Sequence, residues 1–177
     1  MTWCAASVLM LALGIFGPAI YSQCSAVSQA PLKTSDLLAA GEAAPEWKLD
    51  DAQGQTHSLS EYRGKVIVLD FWATWCGPCL ETMRQMQKLH EKYKDRGVMV
   101  VGIDSWENKD PIPVMRERHC TYASMLKGEK ISEQYKVSSL PTVYIVGVDG
   151  RIVYGHQGPS KKNLAKLVEK YLQEHGM

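Results

Sequence analysis

Two cysteines, Cys76 and Cys79, stand two residues apart, a spacing that can carry thiol–disulfide chemistry. A continuous apolar run over 66–71 predicts a strand before the pair, and helical periodicity from Leu80 predicts a helix after it. The first sulfur would then lie at the N-terminal end of a helix, where the macrodipole and unpaired N–H groups stabilise a thiolate. The second sulfur would follow one turn later, near enough to close a disulfide. The pattern therefore predicts a redox pair.

Cys76 is the predicted nucleophile of this pair. Attack on a disulfide requires a thiolate, and an ordinary cysteine with a pKa of about 8.5 is mostly protonated at neutral pH. A position at the start of a helix lowers that pKa. Cys79 would then attack the mixed disulfide and release the reduced substrate. Gly77 would let the backbone approach the sulfur, and Pro78 suits the first helical turn, where its missing N–H costs nothing.

Other uses of a Cys-x-x-Cys pair find less support in the sequence. A zinc site needs two further ligands at suitable spacing, and the chain has no second Cys-x-x-Cys. A haem attachment motif needs His after the second cysteine, where this chain has Leu80. A structural disulfide remains open as the alternative, and we expect neither a metal nor another cofactor.

Composition limits the class of protein. The chain has 177 residues, enough for one ordinary domain with a substantial core and a short appendage. Its 45% hydrophobic and 22% charged residues are typical of a soluble globular protein. The net charge of +1 argues against nucleic acid or an anionic membrane surface as the main partner. The 5 cysteines are too few for a fold held together by disulfides.

The N-terminal residues differ from the rest of the chain. Residues 1–30 carry no Lys, Arg, Asp or Glu, and the stretch Val8–Ile20 is almost wholly apolar. This stretch is shorter than the roughly twenty residues of a spanning helix and is typical of a signal peptide. We therefore predict a secretory signal peptide in 1–30, with an uncleaved membrane anchor or a lipid-modified Cys24 as alternatives. Residues 31–43 are predicted to be a linker, and 44–175 the folded domain.

The elements that must position the cysteines follow from apolar periodicity and turn residues. In chain order, the pattern predicts a hairpin at 47–59, a strand at 65–71, a helix from 80 to about 96, a strand at 98–103, short helices at 110–119 and 131–135, a hairpin at 142–154 turning at Asp149-Gly150, and a terminal helix starting near Ser160. This order predicts one α/β domain with a mixed sheet.

Two separate motifs resemble the thioredoxin superfamily. Residues 71–79, Phe-Trp-Ala-Thr-Trp-Cys-Gly-Pro-Cys, are followed about sixty residues later by residues 137–142, Val-Ser-Ser-Leu-Pro-Thr. The pattern over 44–65 and the long centre at 104–136 are similar to the extracytoplasmic TlpA/ResA type, the redoxin group related to AhpC/TSA proteins. The resemblance covers about 44–173. It implies a thioredoxin-like fold with a central mixed β-sheet flanked by helices, an added N-terminal β-hairpin and a central insertion.

The resemblance places Asp70 at the position of the buried acid of thioredoxins. An aspartate in such an apolar strand has its charged form disfavoured by desolvation, which raises its pKa. It would take a proton from Cys79, through water, as that thiol becomes the second nucleophile. Thioredoxins pair this acid with a lysine on the next central strand, where this chain has Val100. A structural aspartate at the strand end is the alternative.

Pro141 resembles the cis-proline beside the active site of the superfamily. Cis bonds are costly except before proline. The family role of this residue is to hold Leu140 so that its backbone pairs with substrate next to Cys76, a form of strand addition. A trans proline that opens a strand is the alternative. The substrate-binding residues implied by the resemblance are Trp75, Gly77, Pro78, Leu140 and Thr142.

Three further expectations concern side chains around this site. We expect Trp75 to be partly exposed at the docking surface and Trp72 to pack in or beside the core. Cys120 has no partner by motif, and a free cysteine is most often a small buried hydrophobe. The helical spacing of Met83 and Met86 predicts core positions.

The function implied by the resemblance is that of a thiol-disulfide oxidoreductase outside the cytoplasm, periplasmic or secreted. It would reduce protein disulfides with electrons from another thiol protein, typically a membrane protein in this family. Cytochrome c maturation components or misoxidised proteins would be its substrates. The Gly-Pro pair between the cysteines and Asp70 favour the reducing direction.

Two alternative functions belong to other classes. A thiol peroxidase of the related peroxiredoxin group would carry Pro-x-x-x-Thr-x-x-Cys, but Leu69 and Ala73 occupy the Pro and Thr positions. A copper-carrying chaperone of this fold would use Cys-x-x-x-Cys with a remote His, and the spacing here is one residue shorter. Both patterns therefore favour the oxidoreductase.

Overall fold

A computed structural model of the protein describes residues 37–159 and 162–177. The predicted signal peptide or anchor at 1–30 and the first part of the predicted linker lie outside the described residues. Within the described ranges, every helix is too short or too polar to cross a bilayer.

Strands and helices alternate along most of the described chain. The strands are β1 (Lys48–Asp50), β2 (Thr56–Ser58), β3 (Val66–Trp72), β4 (Val98–Asp104), β5 (Ala123–Met125), β6 (Thr142–Val146) and β7 (Ile152–Gln157). The helices are α1 (Gly77–Tyr93), α2 (Ile112–Glu117), α3 (Glu129–Gln134) and α4 (Leu164–Glu174), and a 3₁₀ turn covers Leu59–Tyr62.

Five strands form one mixed sheet in the order β5-β4-β3-β6-β7. The pairs β3–β4 and β4–β5 are parallel, whereas β3–β6 and β6–β7 are antiparallel. The first two strands form a separate antiparallel hairpin. The predicted mixed sheet and the predicted N-terminal β-hairpin are therefore confirmed.

Strand β3 lies at the centre of the sheet and is buried along its whole length. Leu69 and Phe71 belong to a core cluster with Tyr144 on one face, and Val68 packs with Met86 of α1 on the other. A strand covered on both faces needs apolar residues at successive positions, which explains the continuous run in the sequence.

Strand β5 is the element that the sequence does not predict. Its three residues are too few to show an alternating pattern. Pairing with β4, which sets Ser124 opposite Gly102, makes this segment the edge of the sheet. Tertiary contact, rather than local preference, therefore decides its structure.

Several element boundaries differ by a few residues from those predicted, and at two of them contacts beyond the local pattern explain the difference. Strand β7 continues to Gln157, beyond the predicted end at Tyr154, because Gln157 still pairs with Thr142 of β6. Helix α4 begins at Leu164, later than predicted, because the Asn163 side chain accepts the hydrogen bond of the Lys166 N–H and caps the helix.

Residues 37–43, within the predicted linker, pack on the domain. The N–H of Leu38 donates to the Tyr144 hydroxyl at 3.1 Å, and Ala43 forms an antiparallel bridge with Arg151 beside β7. Leu37 and Leu38 also pack against the core. The folded unit therefore starts before the predicted boundary at residue 44.

Candidate active site

Cys76 and Cys79 form a disulfide at the junction of β3 and α1, with a distance of 5.2 Å between their Cα atoms. Cys76 is the N-cap residue of α1, and its Sγ accepts a hydrogen bond from the Cys79 N–H at 3.2 Å. The first sulfur therefore lies where the helix dipole and N–H groups favour negative charge. The bridge and its place at a strand–helix junction are as the sequence predicts.

The two sulfurs differ in access to solvent. Cys76 retains 5% of its surface, whereas Cys79 is fully buried. Gly77 and Pro78, between them, are exposed, and a methyl group added to Gly77 would meet nothing within 4 Å apart from its chain neighbours and the backbone of its own helix. A partner disulfide can therefore reach the protein from the Cys76 side, across an open surface at the start of α1.

Asp70 is fully buried in β3. It shares a face of the strand with Val68, which packs on Met86, so its carboxyl group faces the layer that contains α1. Neither carboxyl oxygen has a hydrogen-bond partner among the described residues. Burial raises the pKa of Asp70 to about 8. The desolvation expected from the apolar run is therefore present.

The neighbouring strand offers no cation to Asp70. In the parallel register, Asp70 lies opposite Gly102, and Val100 lies opposite Val68. A Cβ atom added to Gly102 would lie 2.9 Å from the Ser124 hydroxyl and 3.1 Å from the Trp72 ring nitrogen. The space beside the acid is therefore closed by these side chains, and no lysine of the described chain forms an ion pair there.

The peptide bond between Leu140 and Pro141 is cis, as predicted. Leu140 packs against the apolar cluster that contains Cys76 and Cys79. Within the described part of the chain, neither the N–H nor the carbonyl of Leu140 forms a hydrogen bond, whereas the Pro141 carbonyl accepts one from Gly158. The backbone of Leu140 is therefore free to pair with an extended peptide.

Thr142 is buried, whereas the other residues predicted to contact the substrate are exposed or half-buried. Its side chain is fully buried, and its hydroxyl donates to the Ser139 carbonyl at 2.7 Å. These surroundings favour a role in holding the turn before Pro141. Direct contact of Thr142 with a substrate stays a prediction.

The two tryptophans near the cysteines have opposite environments. Trp75 is 55% exposed, whereas Trp72 is fully buried and donates its ring N–H to the Ser124 hydroxyl at 3.3 Å. A third tryptophan, Trp106, is 37% exposed beside Trp75. The expectations for Trp72 and Trp75 are confirmed. Trp106 is a further exposed tryptophan beside the cysteines, and no local motif in the sequence indicates it.

Carboxyl groups that no sequence motif indicates lie beside residues 73–76, the redox loop that leads into α1. Asp104, at the end of β4, pairs with Trp72 at the end of β3 and retains only 4% of its surface. Burial, followed by the negative charges of Glu107 and Glu129, raises the pKa of Asp104 to about 7. The ends of neighbouring parallel strands meet at one edge of the sheet, which is the signal that could have drawn attention to Asp104.

Cys120 is a free, half-buried cysteine. It packs against the apolar cluster around Cys79 and Met115, and burial raises the pKa of its thiol. Met83 and Met86 are fully buried core residues, as their spacing predicts. Within the described ranges, no three Asp, Glu, His or Cys side chains converge in an arrangement that could hold a metal ion.

Comparisons with known proteins agree with this geometry. The model of the AhpC/TSA family matches residues 40–155. Thiol-disulfide oxidoreductase ResA of Geobacillus kaustophilus is 31% identical over 148 residues, which cover 82% of this chain and 81% of the relative. Thiol-disulfide oxidoreductase ResA of Bacillus anthracis is 28% identical over 169 residues, which cover 94% of this chain and 92% of the relative.

Solved structures show the same architecture. The thioredoxin domain of a thiol-disulfide oxidoreductase from Bacteroides vulgatus matches with a TM-score of 0.68 at 25% identity, over 76% of this chain and 98% of that domain. A thiol:disulfide interchange protein from Bacteroides sp. matches with a TM-score of 0.68 at 25% identity, over 77% of this chain and 91% of that protein. The thioredoxin-like fold predicted from the two motifs is confirmed.

Proposed function

The chain belongs to the AhpC/TSA family and is a thioredoxin-like thiol-disulfide oxidoreductase, and from this premise we propose that it reduces protein disulfides outside the cytoplasm through Cys76 and Cys79. The observation that carries the proposal is the asymmetry of the pair. Cys76 caps a helix, keeps 5% of its surface and is flanked by the exposed residues Trp75 and Gly77, whereas Cys79 is fully buried one turn later. Thiol–disulfide exchange needs an attacking thiol that a partner disulfide can reach, and this difference assigns the attack to Cys76.

In the first step, the Cys76 thiolate attacks one sulfur of the substrate disulfide. A bond forms between that sulfur and Cys76 while the substrate S–S bond breaks. The second substrate sulfur leaves as a thiolate and takes a proton from solvent. The N-terminal end of α1 stabilises the attacking thiolate, which raises its population at neutral pH.

In the second step, the Cys79 thiol gives its proton, through water, to Asp70 in its ionised form and attacks the Cys76 sulfur; Asp70 later returns that proton to solvent. The mixed disulfide breaks, and the remaining substrate sulfur leaves as a thiolate and is protonated. Two electrons and two protons have then passed to the substrate, and the Cys76–Cys79 bridge has formed. Burial raises the pKa of Asp70 to about 8, close to that of an ordinary thiol, so the minority of Asp70 that is ionised at neutral pH is a strong enough base to take this proton.

Substrate recognition is assigned to the surface around Cys76. The unpaired backbone of Leu140 would add a strand-like hydrogen bond to the substrate segment, and Trp75 would pack on its side chains. Gly77 and Pro78 leave the approach to Cys76 open. Pro141 and Thr142 hold the turn that presents Leu140.

We extend this proposal to the cellular location of the protein and to its partners. The apolar N-terminal sequence supports export, with residues 1–30 as a signal peptide or a membrane anchor, and the resemblance to extracytoplasmic TlpA/ResA proteins supports it further. A membrane thiol protein would then return electrons to the Cys76–Cys79 disulfide. Proteins of cytochrome c maturation are the proposed substrates, together with misoxidised proteins.

Reduction of insulin, followed by the turbidity of its released B chain, tests the proposal. We expect turnover by the wild-type protein in the presence of a dithiol donor, loss of turnover in Cys76→Ser, and trapped mixed disulfides in Cys79→Ser. We also expect a reduction potential nearer to about −270 mV than to the roughly −120 mV of strong oxidants. Full activity of Cys76→Ser would show that the nucleophile is assigned to the wrong residue.

Two further assays on the same protein preparation distinguish the alternative functions. Rapid consumption of hydrogen peroxide without insulin reduction would favour a peroxidase. Stoichiometric Cu(I) binding by the reduced protein without insulin reduction would favour a copper carrier. Against the peroxidase, the Thr position of its motif is occupied by Ala73, which is fully buried and has no hydroxyl, and the Pro position by Leu69.

A further inference from the structure

The chain turns sharply after β4 and returns to the redox loop, residues 73–76. The Ser105 N–H donates to the Trp72 carbonyl at 2.9 Å, which continues the pairing between β4 and β3 by one step. Trp106 then adopts φ of +55°, in the left-handed region that side chains other than glycine rarely occupy. Such conformations persist where surrounding contacts determine them, and they cluster at functional sites.

Two contacts hold Trp106 in this conformation. Its N–H donates to a Glu129 carboxylate oxygen at 3.2 Å. Its carbonyl accepts the ring N–H of Trp75 at 2.9 Å. The turn is therefore tied to α3 on one side and to the redox loop on the other.

The next residue, Glu107, makes the stronger contact with the loop. Its carboxylate accepts the backbone N–H of Thr74 at 2.5 Å and the Thr74 hydroxyl at 2.8 Å. The N–H groups of Asn108 and Lys109 donate to the same carboxylate at 2.8 Å and 3.0 Å, which fixes its orientation. Burial raises the pKa of Glu107, but these hydrogen bonds outweigh it and hold the pKa below its usual range.

The loop has few other anchors. Within the described residues, Thr74 and Trp75 form no hydrogen bond to any segment other than the turn at 106–107. Both residues lie directly before Cys76, which caps α1. The direction in which the Cys76 sulfur faces a partner therefore depends on what holds Thr74 and Trp75.

We propose that Glu107 is a positioning residue of the redox centre, which holds the loop before Cys76 through Thr74 so that the sulfur meets a substrate disulfide in line. This inference rests on the proposed role of Cys76 as the nucleophile. Glu107 takes no proton and no electron in the reaction. Its contribution is orientation, and a displacement of about 1 Å at a reacting atom can cost about a hundredfold in rate.

Four variants distinguish an effect on the orientation of the redox loop from an effect of negative charge near it. Glu107→Ala removes both hydrogen bonds to Thr74, and Thr74→Val removes only the one made by the hydroxyl. Thr74→Ser keeps both donors and serves as the conservative rescue. Asp110→Asn removes a negative charge from the crevice that Glu107 shares, but leaves the Thr74 contacts in place.

The measurements are kcat and KM for insulin reduction and the rate of Cys76 alkylation by iodoacetamide as a function of pH. We expect Glu107→Ala to lower kcat/KM by about tenfold to a hundredfold, and Thr74→Val by a smaller factor. The double variant should be no worse than Glu107→Ala, because both changes remove the same interaction. Thr74→Ser and Asp110→Asn should remain within about twofold of the wild type, as expected for changes that spare the contact.

The rate of Cys76 alkylation distinguishes a misplaced Cys76 sulfur from an unfolded protein. Iodoacetamide approaches from any direction, so thiolate alkylation should change much less than insulin reduction in Glu107→Ala. Wild-type kcat/KM in Glu107→Ala, or fully additive losses in the double variant, would overturn the positioning role while leaving the proposed function intact. A wild-type protein unable to reduce insulin would overturn both. If Glu107→Ala does not fold, the contrast between Thr74→Val and Thr74→Ser decides the question.

Discussion

At the centre of β3, Asp70 makes the folded protein sensitive to pH. Burial raises its pKa to about 8, whereas an unfolded aspartate has a pKa near 3.8. Below the unfolded pKa, the carboxyl group is neutral in both states and adds no pH-dependent contribution to the stability. As the pH rises from about 4 to about 8, only the unfolded state ionises freely, so folding stability falls. Above pH 8 the loss levels off, at a magnitude on the order of 5 kcal/mol.

Asp70→Asn should remove this dependence on pH. We expect the free energy of unfolding of the oxidised wild-type protein to fall between about pH 4 and pH 8, and that of the variant to fall much less, because an amide does not ionise. Urea unfolding at several pH values measures both. Asp149→Asn, at an exposed acid in the turn between β6 and β7, should keep the wild-type dependence. Parallel curves for the wild type and Asp70→Asn would contradict the assignment of a buried, neutral Asp70.

The sequence predicts the burial of Asp70 but not the reason why it has no cation. The apolar neighbours of Asp70 are visible in the local pattern, so a raised pKa can be expected from them. The closure of the space beside it depends on Gly102, Ser124 and Trp72, which come from three strands. Only the register of the sheet brings those residues together.

At the scale of the elements, the end of β4 depends on its contact with α3. Gly128, the N-cap of α3, donates its N–H to the Asp104 carbonyl at 2.7 Å. A Cβ atom added to Gly128 would lie 2.2 Å from Cγ2 of Ile103 and 2.8 Å from that carbonyl. Glycine is therefore required by close packing, since its φ of −81° is open to any residue.

Gly128→Ala should destabilise the protein by about 1–3 kcal/mol, the usual cost of forcing an extra methyl group into a packed interior. It should also weaken insulin reduction, because it displaces the strand end that leads into Trp106 and Glu107. Gly77→Ala is the matched control for stability, since its methyl group meets nothing within 4 Å apart from its chain neighbours and the backbone of its own helix. Chemical unfolding of the oxidised proteins compares them, and equal stability of the two variants would show that the contact at Gly128 yields without cost.

Elements with a long periodic pattern or a clear turn signal were predictable, whereas the short edge strand β5 was not. The periodicity of α1 and the continuous apolar run of β3 each extend over enough residues to show a pattern. The short strand β5 has no such length, and its pairing with β4 alone defines it. The left-handed backbone at Trp106 could not be predicted from the sequence, because the turn contains no glycine at that position.

At the scale of the whole domain, Tyr144 joins three parts of the fold. Its hydroxyl donates to the Tyr135 carbonyl at the end of α3 at 2.6 Å and accepts the Leu38 N–H of the N-terminal segment at 3.1 Å. Its ring packs against Phe71 of β3. The segment before residue 44 is therefore held by the core of the domain.

Tyr144→Phe should lower the free energy of unfolding by about 1–3 kcal/mol, because it leaves the Tyr135 carbonyl and the Leu38 N–H without partners. Tyr154→Phe, on the adjacent strand β7, is the matched control. The Tyr154 hydroxyl is buried and has no hydrogen-bond partner among the described residues, so its removal should be neutral or stabilising. Urea unfolding distinguishes the two variants, and an equal loss in both would contradict the bridging role of Tyr144.

The amino-acid sequence by itself determined the spacing of Cys76 and Cys79, their place between a strand and a helix and the mixed α/β class, and its resemblance to the thioredoxin superfamily implied the cis bond before Pro141. These features depend on short motifs and on regular periodicity, which are properties of neighbouring residues. Only the tertiary structure decided that residues 37–43 pack on the domain, that Ser124 and Trp72 close the space beside Asp70, and that the Glu107 carboxylate accepts hydrogen bonds from Thr74. Glu107 and Thr74 are 33 positions apart, and the folding of β4 against β3 is what brings the carboxylate to the loop.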